Sequence, residues 1–522
     1  MVGTTTALVA AAMVVAATTT AAAAAAASPA TDAATAAAEV GLADAGKLFT
    51  LTPDCDAVCQ ADVAASLTAR GCTNVAVLPT LRLASAVCEP AAAGGRAGRG
   101  MDSGASETAL QRLPGVMVVE EDGLMEGEEP IAMDSADAEV PLKLPNGEDY
   151  FWGLDRINQA ALPLDENSNT TNCYPRRGAG VTVYVIDGGC TPDHPEFTPG
   201  QVTTKALPSS PFDPAGIDEK GHGTHVAGTI GGWRTGVAPG VTLSCIRVLS
   251  AKGSGKKSDV AAGWEAVAAA KVANPAVPTV LHASLSGSGT HHDAAMERLA
   301  AVGVVPVVSA GNTGEDACER TPARSPYAIT VANSDVDDTL WRSSSRGSCV
   351  NMIAPGHKIL SADFKGGLKT LTGTSMSAPH VSGIVALMLA ERADGATLKL
   401  DAVKALLTDG APVVAGWPLG WLNPSCATAP APPAATAAPT PPPAATAAPT
   451  PPPAATAAPT PPPAATAPPA PLPAATIAPA PVASAAPPAG NLPWGIPPWV
   501  GGPAAPSAAP KSIWGTPPWV TA

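Results

Sequence analysis

The sequence predicts an α/β protein: a doubly wound parallel sheet flanked by helices, preceded by a small α+β unit and followed by a disordered tail rich in Pro, Ala and Thr. Three observations carry this. Short β-branched runs, "GVTVYVIDGG", "VTLSCIRVLS", "AVPTVLHASLS", "GVVPVVSAGN" and "AITVANS", alternate with Ala-rich helical stretches such as "SDVAAGWEAVAAAKVA" between about residues 150 and 416. The 58 Pro and 50 Gly of the 522 residues are spread unevenly, so the chain divides into segments. After Cys426 the ten-residue unit "PPPAATAAPT" repeats and lacks the large apolar residues a core needs.

In chain order, residues 1–27 hold the apolar run "ALVAAAMVVAA" followed by small residues, which reads as a secretory signal peptide without a basic start. An organelle transit peptide and a disordered tail are the alternatives. Residues 45–125 read as the α+β unit: "KLFTLTP" a strand, "DVAASLTARG" a helix closed by Gly71, "NVAVLPTLRLASAV" strand material, "SETALQRL" a helix and "GVMVVEEDG" a strand. Residues 126–149 are acidic and aperiodic and read as an exposed linker. The main domain is expected over 150–426, a Pro/Ala/Thr repeat linker over 427–490, and a tail over 491–522 with "WGIPPWV" and "WGTPPWV". The repeat region should be extended and O-glycosylated.

The formal net charge of −14, with no Lys/Arg-rich run, argues against a nucleic-acid surface and a polybasic membrane patch. Partners should be proteins or polysaccharides. Ten cysteines, none in a C-x-x-C pair, together with an export signal favour disulfides. The sequon Asn169-Thr170-Thr171 points to the same compartment.

In doubly wound sheets the residues just after the strands meet the ligand. "YVIDGG" places Asp187 there, "GHGTHVAG" sets His222 between glycines at a helix start, and "GTSMSAPH" sets Ser375 at another. A serine hydroxyl needs a neutral imidazole to take its proton, and the imidazole needs a carboxylate to fix its tautomer. Asp187, His222 and Ser375 supply those groups. "SAGN" adds Asn312 as a side-chain donor for an oxyanion, with the Ser375 N–H as the second donor.

These motifs, in the order Asp, His, Asn, Ser, resemble the subtilisin-like serine proteases, closest to the proteinase K branch. The resemblance runs from "FWGLDRIN" at Phe151 to about Gly410, with "GHGTHVAGTIGG" and "GTSMSAPHVSG" its most specific strings. It implies a serine endopeptidase acting on proteins or peptides, with Ser375 the nucleophile, Thr374 part of the loop, Ser377 in the first helical turn, and Met376 and Pro379 shaping the helix start. His225 and His380 read as packing residues, and His194 as shaping a loop near the Asp.

The resemblance also implies that the substrate backbone pairs with "ASLSGSG", through Ser284, Leu285, Ser286 and Gly287, and that P1 enters beside Ser309, Ala310 and Gly311. Ser286 stands where the family commonly has Gly, and His282 where it often has Asn; "DGG" at 187–189 is a further departure. A Cys318–Cys349 disulfide is implied, whereas Cys173, Cys190, Cys245 and Cys426 stay unassigned. No cofactor is required. A family calcium site would use Asn351 with the carbonyls of Pro326 and Ala328, and an uncharged amide there weakens it. The unit before Asp122 resembles the family's inhibitor propeptides, through "LPGVMVVEEDG"; its removal is expected by cleavage in the linker upstream of Phe151. The product is expected to be secreted and extracellular, or wall-associated. Two rival readings remain: a binding protein with a silent protease fold, and a wall glycoprotein whose Trp-Pro-Pro-Trp tail docks on a glycan or protein partner.

Overall fold

The computed structural model describes residues 46–88, 106–127, 142–171, 173–208 and 210–422. The signal-peptide segment, the Pro-rich repeats, the Trp-containing tail and Cys426 lie outside the described residues. Among these residues no helix is long and apolar enough to cross a membrane.

The first unit contains β1 (Gly46–Leu51), α1 (Ala57–Ala69), β2 (Thr73–Leu78), β3 (Leu83–Val87), α2 (Glu107–Gln111), β4 (Val116–Glu121) and β5 (Leu124–Gly127). Strands β1 to β4 form an antiparallel sheet in the order β2-β3-β1-β4. Phe49, Val63, Leu67, Leu110 and Val119 pack beneath it with Cys72 and Cys88. Helix α1 starts where the Asp56 carboxylate accepts the Val58 and Cys59 amides, both at 3.0 Å. The stretch read as continuous strand material is a hairpin, because Pro79 and the positive φ of Arg82 turn the chain between β2 and β3. Glu126 and Gly127, read as the start of an exposed linker, belong instead to β5, which leaves this sheet altogether.

The second part contains α3 (Trp152–Asn158), β6 (Thr182–Asp187), β7 (Val202–Ala206), α4 (His222–Gly231), β8 (Thr242–Arg247), β9 (Ser254–Lys256), α5 (Lys257–Ala273), β10 (Thr279–Ala283), β11 (Leu285–Gly287), α6 (His291–Val302), β12 (Val304–Ser309), β13 (Ile329–Ser334), β14 (Met352–Pro355), β15 (Ile359–Ala362), β16 (Leu368–Leu371), α7 (Thr374–Glu391) and α8 (Leu400–Thr408). Seven strands form one parallel sheet, β14-β13-β12-β10-β6-β8-β7. All five β-branched runs read from the sequence lie in it. The two not foreseen, β7 and β14, are its edges, where partial exposure or a terminal Pro dilutes the apolar signal.

Alternation along the strands divides the core in two. Val183, Val185, Val305 and Val307 face α3, α4 and α7, whereas Ile186, Val304 and Val308 face α5 and α6. Helix α7 is buried almost all round, so its sequence shows no apolar stripe. Disulfides join Cys55 to Cys59 and Cys72 to Cys88 in the first unit. In the second part Cys190–Cys245 ties the loop after β6 to β8, and Cys318–Cys349 pairs as the resemblance implied.

Lys271, near the end of α5, is only 3% exposed, and its ammonium donates to the carbonyls of Pro275 (2.9 Å), Val277 (2.8 Å) and Ala396 (2.9 Å). Burial pulls its pKa down, and the three carbonyls replace the lost water. Lys271→Met would leave those acceptors unmatched. We expect it to reduce stability by about 2–4 kcal/mol, read as a lower urea midpoint for the variant made in a Ser375→Ala background.

Candidate active site

The chain crosses from β8 to β10, on opposite sides of β6, so the sheet opens a crevice at the carboxyl ends of these strands. Asp187 ends β6 in that crevice and is 1% exposed. His222 opens α4 beside it. Gly221 has φ +97°, and a Cβ there would stand 2.6 Å from Phe364. A Cβ on Gly223 would stand 2.1 Å from the Gly189 carbonyl oxygen. Both glycines flanking the histidine are therefore demanded by close approach. Asp218, which the sequence reading did not single out, holds this helix start: its carboxylate accepts the amides of Gly221 (2.7 Å) and Thr224 (2.8 Å) and the Thr224 hydroxyl (2.7 Å). An aspartate just ahead of a helix start was the available signal.

His222 Nδ1 donates to Asp187 Oδ2 at 2.8 Å, while Asp187 Oδ1 accepts the Gly188 amide at 2.6 Å. Burial opposes the imidazolium, but the Asp187 charge and hydrogen bond, with help from Asp218, outweigh it and raise the His222 pKa above the ordinary 6.5. Nε2 is buried without a hydrogen-bond partner among the described residues. With Nδ1 committed to Asp187, Nε2 is the nitrogen available to accept a proton.

Ser375 is the second residue of α7 and is fully buried. Pro379 is the sixth, past the first turn, so it lies inside the helix and not at the helix start that the resemblance implied it shapes. Having no N–H, it cannot bond the Ser375 carbonyl four residues back. That carbonyl is met instead by the Ser284 hydroxyl at 3.4 Å. Ser284 is bonded in turn to His282 Nε2 (2.9 Å), whose Nδ1 meets the Ser382 hydroxyl (2.9 Å). Burial pushes the His282 pKa down to about 3, so this ring is neutral: one nitrogen donates its N–H to one hydroxyl and the other accepts from the second. His225 and His380 pack in the interior, their pKa values lowered by burial to about 3 and about 4 respectively. His194 bridges the Gly367 carbonyl and the Glu196 amide.

Thr374 is the first helical residue and does more than form a loop. Its amide and hydroxyl bond Asn312 Oδ1 at 2.9 and 3.0 Å, and its hydroxyl accepts the Gly311 amide at 3.2 Å. Those bonds set the orientation of the Asn312 amide, so Nδ2 is its donor end, 3.1 Å from where a Cβ on Gly373 would lie. Ser309 ends β12, Ala310 bonds the Val331 carbonyl, and Leu285, Ser286 and Gly287 form β11, so the two predicted pocket walls converge on the start of α7.

The residues of the implied calcium site do not fit a divalent cation. The Lys404 ammonium donates to the Pro326 carbonyl at 2.8 Å, and Asn351 Oδ1 accepts the Thr330 amide at 2.9 Å. A positive charge already occupies one proposed ligand and the amide supplies no negative charge.

Strand β5 lies in the crevice itself, antiparallel between β11 and β9. Gly127 bonds the Gly253 carbonyl at 2.7 Å and lines one small cavity with Asp187 and His222. Met125 is fully buried among the residues of α5 and β11. Two of the three acidic residues just before β5 reach helix starts of the larger part. Glu120 accepts the Thr290 amide (2.8 Å) and His291 Nδ1 (2.9 Å) at α6, and Asp122 accepts the Ser258 amide (2.9 Å) and hydroxyl (2.7 Å) at α5. Burial alone would raise the Glu120 pKa, but the bonds from His291 and Thr290 hold it down at about 2. Glu265 accepts the amides of Thr80 and Leu81, both at 2.9 Å.

Residues 178–438 match the model of the Subtilase family. "Alkaline serine exoprotease A" of Vibrio alginolyticus is 41% identical over 295 residues, 56% of this chain and 52% of that protein. "Extracellular serine proteinase" of Thermus sp. (strain Rt41A) is 44% identical over 241 residues, 46% of this chain and 56% of that protein. The chain thus spans about half the length of these curated relatives. Among solved structures, "Crystal structure of a cold adapted subtilisin-like serine proteinase" shares 40% identity, with a TM-score of 0.47, over 52% of this chain and 97% of that one.

The geometry predicts how His222 titrates. Followed by NMR, it should titrate above the ordinary histidine range, and Asp187→Asn should bring it below that range, because burial then acts unopposed. An unchanged pKa in the variant would contradict this account of the pair.

Proposed function

This chain belongs to the subtilase family, and we propose that it is a secreted serine endopeptidase, made with an inhibitory first unit, that hydrolyses peptide bonds through Asp187, His222 and Ser375. The observation that carries the reading is the buried 2.8 Å bond from His222 to Asp187 in the crevice where β5 lies. It prepares a neutral imidazole whose free nitrogen can act as a base.

In the proposed cycle His222 Nε2 takes the Ser375 Oγ proton as the oxygen attacks the substrate carbonyl carbon. The resulting oxyanion is met by Asn312 Nδ2 and the Ser375 N–H, and loss of one such donor typically slows turnover by about 10²–10³-fold. His222 then passes its proton to the departing amine, leaving an acyl-enzyme on Ser375. Water, deprotonated by His222, attacks the ester, and the acid product leaves as the proton returns to Ser375 Oγ. Asp187 keeps its charge throughout and stabilises the transient imidazolium. Backbone pairing to β11 and β9 supplies the substrate's alignment.

The placement of β5 between those two strands supports a first unit that blocks the crevice as a substrate-like strand, with maturation cleavage between Gly127 and Phe151. Export is supported by the disulfides and by the exposed Asn169, whose side-chain oxygen accepts the Thr171 hydroxyl at 3.1 Å in a sequon suited to glycosylation. The Trp-Pro-Pro-Trp motifs remain candidates for binding a wall glycan or a protein partner.

Treating secreted protein with a fluorophosphonate tests the reading. Wild type should label on a fragment that lacks everything before about Phe151, and Ser375→Ala should not label. Full-length wild type that stays unlabelled would sink the protease reading in favour of a silent, permanently blocked fold. On the matured enzyme, kcat/KM should rise with pH through an apparent pKa above the ordinary 6.5, since only neutral His222 can act as base. A rise completed well below that value would contradict the assignment.

A further inference from the structure

The guanidinium of Arg320 stands against Ser286 of β11. On this basis, which rests on the protease reading, we propose that Arg320 makes the enzyme selective for substrates with Glu or Asp at P1.

The register of β5 sets the geometry. Gly127 pairs with Leu285 and Glu126 with Ser286, so a substrate strand in that register puts its next residue opposite Ser284. Ser284 bonds the Ser375 carbonyl, so that next residue lies at the nucleophile and is P1. Residues two apart on a strand share a face, so the P1 side chain emerges on the face of Ser286. On that face Ser286 Oγ accepts from Arg320 Nη2 at 3.3 Å. The segment bearing Arg320 is held at both ends. Thr321 exchanges two backbone bonds with Gly287 (2.9 and 3.1 Å), and Ala317 packs in one cluster with Ala310 of the opposite wall. Arg320 is therefore held against β11, on the face that a P1 side chain would enter.

Its charge is uncommitted. Among the described residues no carboxylate lies within ion-pair distance of the Arg320 guanidinium, and the nearby Asp293 is taken by Arg324 at 2.8 Å. Arg320 is half-buried, which strengthens its attraction for an anion relative to a fully solvated side chain. A guanidinium with one donor on a serine keeps a second edge for a carboxylate, in the geometry that suits arginine best. Ser286 thus has a use: it aims the guanidinium. In sequence, the two residues after Gly127 are both glutamates, as expected for a chain that cleaves its own leader at acidic positions.

The test uses matured full-length enzyme, its sites counted by fluorophosphonate titration, with tetrapeptide anilides that differ only at P1. Wild type should cleave Glu at least about 10-fold faster in kcat/KM than Phe. Arg320→Gln should reduce the Glu-to-Phe ratio by about 10–100-fold, the range for a lost charge-assisted bond. Arg320→Glu should move preference to Lys, an outcome misfolding cannot imitate. A wild-type preference for Phe, or a ratio unchanged in Arg320→Gln, would overturn the proposal while leaving the protease reading intact. Absence of both labelling and cleavage would overturn the two together.

Discussion

Asp187 can orient His222 only because a strand end and a helix start meet in the same crevice with almost nothing between them. The parallel sheet delivers the carboxylate at the end of β6, and the helix delivers the imidazole at its first residue. The contact tolerates no side chain on either neighbour of His222: a Cβ on Gly223 would strike the Gly189 carbonyl, and one on Gly221 the Phe364 ring. Burial then gives the bond its force. In water a carboxylate and an imidazole attract weakly, whereas here both are sealed and the charge of one sets the proton affinity of the other.

The same economy of contact appears behind Ser375. A helix interior normally satisfies its own carbonyls, and Pro379 removes one of those bonds at Ser375. Ser284, His282 and Ser382 take up the polarity in a buried chain that links the neighbouring strand to α7. The segment that joins β10 to β11 is thereby tied to the helix that carries Ser375. Elsewhere lysines serve a similar end: the ammonium of Lys271 gathers three carbonyls, and that of Lys404 takes the Pro326 carbonyl where an ion would otherwise be considered.

Besides the β2–β3 turn, whose leucines pack on α5 and α6 and whose amides meet Glu265, the first unit reaches the larger part through two kinds of contact. Strand β5 offers backbone bonds and one apolar anchor, Met125, whereas Glu120 and Asp122 offer charge to the positive ends of α6 and α5. Backbone pairing is indifferent to sequence, so it would let the crevice take many peptides under the proposed function. Charge contacts outside the crevice add affinity that an ordinary substrate strand lacks.

Much of this was legible in the residues. The five buried strands announced themselves as β-branched runs, and Asp187, His222, Ser375 and Asn312 each stood at the end of a strand or the start of a helix. The edge strands β7 and β14 did not: exposed residues dilute the apolar pattern of β7, and β14 is a four-residue strand that ends in Pro. Nor could the sequence reveal β5, whose four residues, Leu-Met-Glu-Gly, carry no strand signal of their own and are extended by partners far along the chain. By itself, then, the sequence determined the local chemistry: which side chains are hydroxyl, imidazole and carboxylate at strand ends and helix starts, and which segments are helix or core strand, since these follow from short-range pattern. The tertiary structure alone decided which groups share an environment: the cysteine pairs Cys190–Cys245 and Cys72–Cys88, the chain from Ser284 through His282 to Ser382, and the meeting of Arg320 with Ser286. Those depend on distances between segments brought together by packing, which no local pattern encodes.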